Sequence, residues 1–387
     1  MMIQQQGLDR PHTAQRLLGL DHLRALAIIM VFLYHYGGLF PHPEWVRSIS
    51  KFGWTGVDLF FVLSGFLIAS QLFGKIAQEK KISFKPFFIK RFFRIIPAYL
   101  VVLTLYFLFP SFREREALAP LWKYLTFTQN LGLDAVNHGT FSHAWSLCIE
   151  EQFYFFFPLM LIALVYLKAI KRSYILLLML FLFGIIVRLY AWHILVAPFA
   201  DNDDFWQHWS KWIYYPTYSR LDGLLMGVSI AAIFQFRPAW KEKLQPYSNW
   251  LLLPSLLVLT GAYFLCADEQ AFSASIFGFP LVDFGYGLMV LSAISPSGIL
   301  YKFKSKATAN IAMLSYAAYL IHKIVIHVTQ EQFSKLHIDK DGNFMFLICI
   351  ITSLSAAWLL NRIIEKPFLQ WRDKILRLKQ KHKIVAA

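Results

Sequence analysis

Charge and sulfur are both scarce in this chain. Of its 387 residues 16% are charged against 57% hydrophobic, and three are cysteine. Cys148, Cys266 and Cys349 lie far apart with no metal-ligand spacing, which excludes a disulfide framework and a zinc site and leaves them a packing role. No P-loop is present, no G-x-G-x-x-G opens a helix, and no His/Cys metal constellation occurs. N-x-S/T sequons are absent too, which favours a bacterial inner membrane over a secretory-pathway membrane. The polar, basic start MMIQQQGLDRPHTAQR runs into a long apolar stretch ending LYHYGGLF, without a small-x-small cleavage site. An uncleaved first span is expected.

Apolar runs of about 20 residues recur along the chain, as transmembrane helices require. A large soluble helical protein would need amphipathic stripes with polar faces, and most of these segments have none. The expected architecture is all-α and polytopic, with spans near 17–38, 53–74, 94–110, 143–167, 174–198, 217–236, 249–266, 272–294, 308–330 and 344–365. An N-terminal tail (1–16), one membrane domain (17–370) and a basic tail (371–387) complete it, with no repeat period.

A net charge of +15 would suit nucleic acid, but its distribution excludes that partner. Alternate connections, beginning with 1–16 and 75–94 and ending with 366–387, hold 25 of the 38 Lys and Arg, and the opposite set holds 8. This bias places both termini in the cytoplasm. Arg24, Arg188, Arg220, Lys323 and Arg362 remain inside spans, with Asp58, Glu150, Glu151, Asp222 and Asp283. Ten unpaired charges at mid-helix would cost roughly 25–35 kcal/mol. Arg220 and Arg362 can snorkel from span ends; the others must pair or line a polar cavity within the bundle.

In LDHLRALAIIMVFLYHYGG (20–38), Arg24 and His35 are eleven residues apart, about 20° beyond three full turns, so they share one face about 16 Å apart along the axis. Asp21 lies on the same broad stripe. One reading is a shaft entered from the cytoplasm, with Arg24 meeting an anion and His35 handling protons; the other is a snorkelling arginine and a hydrogen-bonded core histidine. In the fourth span His143, Glu150 and Tyr154 share a stripe, and Glu150 falls at a depth where it could meet His35 or pair with an arginine such as Arg188. Glu151 points away from that stripe. Asp58 and Ser64 face different directions; Ser64-Gly65 suits close helix packing, and Asp58 a charge partner. Tyr316, Tyr319, His322 and Lys323 form a polar cluster within the ninth span, for substrate or for holding helices together.

The block LDHLRALAIIMVFLYH resembles the first helix of the acyltransferase 3 family, integral membrane enzymes that O-acylate extracytoplasmic sugars. That pattern is a basic residue, ten others, then histidine, as Arg24 and His35 stand here. The resemblance continues in order through DLFFVLSGFLI (58–68), FFIKRFFRIIPAYL (87–100), HAWSLCIEEQFYFFFPLM (143–160), RLDGLLMG (220–227), LSYAAYLIH (314–322) and IEKP (364–367). His22 departs from it, standing where a small residue is common. No SGNH-type hydrolase domain is expected after the last span, so the membrane domain would serve the acceptor itself.

The resemblance implies a transmembrane O-acyltransferase moving an acyl group, acetyl foremost, from cytoplasmic acyl-CoA to a hydroxyl of an extracytoplasmic or lipid-linked glycan. Catalysis would fall to His35 and Glu150, with His35 a general base or a transient acyl carrier. Arg24, Arg91 and Arg94 would hold the donor: R-x-x-R belongs to the family pattern, and two guanidinium groups on one helical face suit the phosphates of coenzyme A. Asp21, Asp58, Ser64, Glu151, Arg220, Asp222, Tyr316 and His322 would support the site, without a metal. A proton-coupled secondary transporter also places ionisable groups mid-membrane, but such proteins often show internal repeats and broken helices. No two halves of this chain resemble each other.

Overall fold

The computed structural model describes residues 17–78, 84–115 and 117–385. The expected tail 1–16 and residues 79–83 of the connection 75–93 lie outside the described residues. Ten helices follow the ten expected spans: α1 Leu18–Leu39, α2 Gly53–Ala77, α3 Phe84–Leu108, α4 Ser142–Tyr166, α5 Ser173–Phe199, α6 Asp222–Phe236, α7 Leu252–Leu265, α8 Ala274–Ile294, α9 Lys306–Ser334 and α10 Asn343–Leu378. No strand occurs among the described residues. Helices fit because each satisfies its backbone hydrogen bonds internally, as hydrocarbon demands.

Not all ten are full spans. Eight of the described helices are long and apolar enough to cross a bilayer, and a ninth is reached if α6 is joined to Pro238–Tyr247, into which it bends by 105°. Pro238, at the first position of the second segment, explains the break: it has no N–H to continue the α6 ladder. Helix α7 has 14 residues, short of a complete crossing.

Two boundaries differ from expectation. Helix α3 begins at Phe84, so the basic cluster Lys85, Lys90, Arg91 and Arg94 is helical, ahead of Pro97. Residues 371–385 of the expected basic tail are also helical, within Lys366–Val385, which prolongs the Asn343–Leu360 part of α10 through a π-helical turn at Asn361–Glu365. Phe93 of α3 packs edge-on against Trp371 at 5.4 Å between centroids and joins the two basic extensions. Their charged residues prolong the helices beyond the apolar runs from which the ends were read.

Helix α1 is central, packed on α2, α8 and α9, and the most extensive helix–helix contact is that of α2 with α6. Glycine makes that approach physically allowed. A Cβ on Gly65 would collide with the carbonyl of Leu224, and one on Gly227 with the carbonyl of Val62. Backbone contact of this kind suits lipid-embedded helices, where dispersion rather than water exclusion holds neighbours together. Gly227→Val should therefore cost about 1–3 kcal/mol or more through overpacking. Gly74→Ala, whose Cβ meets nothing within 4 Å, should be neutral. Thermal unfolding in detergent distinguishes the two.

Candidate active site

Three imidazoles meet at the middle of the bundle. His35 of α1, His143 at the start of α4 and His322 of α9 have ring centroids 4.9–5.7 Å apart. Hydrogen bonds decide their tautomers. His322 Nδ1 lies 3.0 Å from the carbonyl of Ala318 and 2.9 Å from that of Tyr319, so Nδ1 carries the proton and Nε2 is an acceptor. His35 Nδ1 lies 2.9 Å from His322 Nε2 and must donate to it. That leaves His35 Nε2 without a proton, as a base needs. Among the described residues no three His, Cys, Asp or Glu side chains converge as a metal cage.

His35 and His143 line a cavity of about 570 Å³ with Tyr34, Trp54, Trp206, Trp209, Tyr214, Tyr215, Glu269 and Lys323. Most of these rings come from the connection 199–216, where Trp209 donates to Ser275 at 2.8 Å and is held rigid. Lys323 is tied at 2.7 Å to Glu114, which descends from the connection after α3; both side chains are 2% exposed. Glu269 accepts a hydrogen bond from Tyr34 at 3.3 Å, and Tyr34 in turn packs edge-on against His35 at 5.7 Å. Burial pushes the Glu269 carboxyl up to about 7, with the Tyr34 hydroxyl drawing it the other way.

A second cavity, of about 130 Å³, opens between the basic ends of α1 and α3 and the middle of α4. Arg24, Arg91, Arg94, Ser64, Glu150, Tyr154 and Tyr316 line it. Glu150 accepts from Ser64 at 2.8 Å and from Tyr154 at 3.0 Å. Arg91 lies over the Tyr154 ring at 4.8 Å and makes no ion pair among the described residues. Arg94 pairs with Glu365 at 3.3 Å, a carboxylate also held by Asn361 across the π-helical turn. Asp21 stands 3.9 Å from Arg24, and Tyr316 donates to the Ile95 carbonyl at 2.8 Å.

The predicted residues thus divide into three places. Arg24, Arg91, Arg94, Ser64, Glu150 and Tyr316 share the small cavity, with Asp21 beside Arg24. His35 stands in the large one, and His322 behind it. Glu150 does not meet His35 as its depth suggested, because Ser64 and Tyr154 hold it in the small cavity. Glu151 lines neither cavity, and its Oε1 is buried without a hydrogen-bond partner. Asp58, Arg220 and Asp222 lie apart as buried ion pairs: Arg220 with Asp58 at 2.7 Å, and Arg188 with Asp222 through a short contact. Arg220 also stacks on Phe279 at 3.9 Å and reaches the ring of Tyr214 at 4.9 Å, so it supports the large cavity from beneath. His22, the departure from the family pattern, joins α1 to the start of α9 through Thr308 and the Phe303 carbonyl.

Sequence reasoning missed Glu114 and Glu269, both on connections, left His143 without a role, and left Lys323 between binding substrate and holding helices together. The signal for Glu114 was present, since an intramembrane lysine requires a partner. Nothing in the sequence placed that partner 209 positions upstream, at 114 against 323.

Fold and cavities define an integral membrane protein whose polar interior is reached from both ends of the bundle. The chain belongs to the acyltransferase 3 family, whose model, described as an acyltransferase domain, matches residues 17–362. It is 29% identical over 380 residues to the O-acetyltransferase OatA of Staphylococcus aureus strain NCTC 8325 / PS 47, covering 93% of this chain and 58% of that protein. A putative O-acetyltransferase of strain MRSA252 is similar at 29% over 388 residues, covering 92% of this chain and 59% of that protein. The chain therefore spans under two thirds of the length of the curated relatives it matches. No solved structure matches it significantly.

Because Arg220 and Asp58 are each 1% exposed at the side chain, neither can be lost alone without leaving a buried charge. Arg220→Met or Asp58→Leu should each destabilise by about 3–5 kcal/mol, and the double variant should recover much of that loss. A double-mutant cycle on thermal stability measures the recovery; strictly additive losses would mean that the pair is not coupled.

Proposed function

We propose that this chain is a membrane O-acetyltransferase that takes its acyl group from acetyl-CoA or another acyl-CoA at the cytoplasmic face and transfers it to a glycan hydroxyl on the other side of a bacterial inner membrane. One observation carries the reading: the unprotonated Nε2 of His35, left free by the hydrogen bond to His322, in a roomy aromatic cavity opposite a narrow one lined by guanidinium groups. The name of the OatA relative supplies the acetyl group, and the bias of basic residues supplies the orientation.

In this reading Arg91, Arg94 and Arg24 meet the phosphates of the donor, and its pantetheine arm enters the narrow cavity. The acceptor, a sugar of a periplasmic or lipid-linked glycan, lies against the Trp and Tyr walls of the wide one. His35 Nε2 removes the proton of the acceptor hydroxyl as that oxygen bonds to the thioester carbonyl carbon. The tetrahedral intermediate collapses with cleavage of the carbon–sulfur bond. The thiolate of coenzyme A leaves and takes the proton back from the imidazolium. His322 keeps His35 in the tautomer this step needs, while the Glu114 carboxylate neutralises Lys323 close by.

His35→Ala should leave the protein folded and inserted but abolish acylation, and His35→Gln should do the same while keeping some hydrogen bonding. Full acylation by either variant at normal expression, read by mass spectrometry of surface glycans, would remove His35 from the mechanism.

The donor side has its own test. Arg91 has no competing ion pair among the described residues, so Arg91→Ala should raise the apparent KM for acyl-CoA about 10- to 150-fold with a smaller effect on kcat. Arg91→Lys should recover only part, since an ammonium lacks the bidentate fork. Arg94→Ala should weaken donor binding and also lower stability, because Glu365 then loses its cation. Wild-type affinity for acyl-CoA in both arginine variants would return the pair to a mere topology signal.

A further inference from the structure

The two cavities share a wall. Among the described residues Tyr319 alone lines both. Its hydroxyl donates to the backbone carbonyl of His143, a residue of the wide cavity, and stands 2.6 Å from the hydroxyl of Ser146, a residue of the narrow one. A phenol has one hydrogen to donate, so the Ser146 hydroxyl must be the donor in the second bond. The Tyr319 ring spans from α9 to α4, edge-on to the His143 imidazole at 5.6 Å between centroids. One aromatic ring, latched by two hydrogen bonds to residues three positions apart on α4, therefore stands between the arginines and His35.

We propose that Tyr319 is a positioning residue that seals the narrow cavity from the wide one in the resting protein and is displaced when the donor's arm reaches toward His35. The seal is a statement about two cavities and one side chain; its opening by the donor rests on the reading of the narrow cavity given above. Its chemical consequence is protection. While the latch is closed, water in the wide cavity cannot reach a thioester in the narrow one, and the bilayer is not pierced by a continuous polar path. A transferase that joined both sides permanently would hydrolyse its donor and leak protons.

The test places a thiol in the narrow cavity. Ser315 lines it, so with Cys148, Cys266 and Cys349 replaced by alanine, Ser315→Cys in the full chain offers one reactive sulfur. A small, charged, membrane-impermeant methanethiosulfonate is added to oriented vesicles from either side. From the basic side, Ser315→Cys should be labelled at similar rates in every variant, which also reports that the bundle is intact. From the opposite side, labelling should be slow with Tyr319 present. It should rise about 5- to 30-fold in Tyr319→Phe, which keeps the ring but loses both hydrogen bonds. Ser146→Ala, which removes one bond and leaves the tyrosine, should give a smaller rise. Equal labelling from the opposite side with and without the Tyr319 hydroxyl would overturn the seal. Acetyl-CoA on the basic side should shield Ser315→Cys there. If it does not, while the Tyr319 dependence persists, the donor-driven opening falls together with the donor assignment, and the seal stands.

Discussion

An unpaired charge in a low-dielectric interior costs several kcal/mol, and the chain answers that constraint with three buried ion pairs. Arg220–Asp58 joins α2 to the segment entering α6, Arg188–Asp222 joins α5 to α6, and Lys323–Glu114 fastens the connection after α3 to α9. Remove one member of either arginine pair and a charge is stranded away from water, while Lys323 without Glu114 would face the wide cavity with no counter-ion beside it. The pairs therefore do more than neutralise: they bring helices distant in sequence into one arrangement. The glycine contact of α2 with α6 lies in the same region as the first of them, so packing and charge pairing reinforce each other.

Function begins where that pairing stops. Among the described residues Arg91 has an aromatic ring but no ion pair, and His35 has one ring nitrogen committed and the other free. An arginine without a counter-ion at the edge of a cavity is a ready site for a phosphate. An imidazole whose tautomer is set by a neighbour is a ready base. The two occupy different cavities, a separation that suits the proposed reaction between substrates on opposite sides of a membrane.

The composition of the two cavities differs in the way their proposed occupants differ. The narrow one is ringed by guanidinium groups and leads inward past Ser64, Glu150 and Tyr316, a shape for a slender polar arm. The wide one is walled by indole and phenol rings with a carboxylate at Glu269, surfaces that offer stacking and hydrogen bonds to a sugar. Ser146 and Tyr319 sit at their junction, so in the proposed reading the residues that hold the bundle closed there would also separate the two substrates.

Much of this was legible in the residues alone. The all-helical class, most of the apolar spans and the stripe that aligns Arg24 with His35 follow from local periodicity and composition, because a membrane helix must be apolar and satisfies its own backbone, and the family resemblance follows from its motif blocks. The small-residue contact at Gly65 could also be read, since it depends on side-chain size at one position. Partners could not. That Lys323 meets Glu114, that His35 leans on His322 rather than Glu150, and that Arg220 belongs to Asp58 are contacts across 209, 287 and 162 positions. Helical periodicity says which way a side chain faces, not which helix it faces. Only the packing of the bundle, under the requirement that buried charges and polar groups find partners, chose among the alternatives.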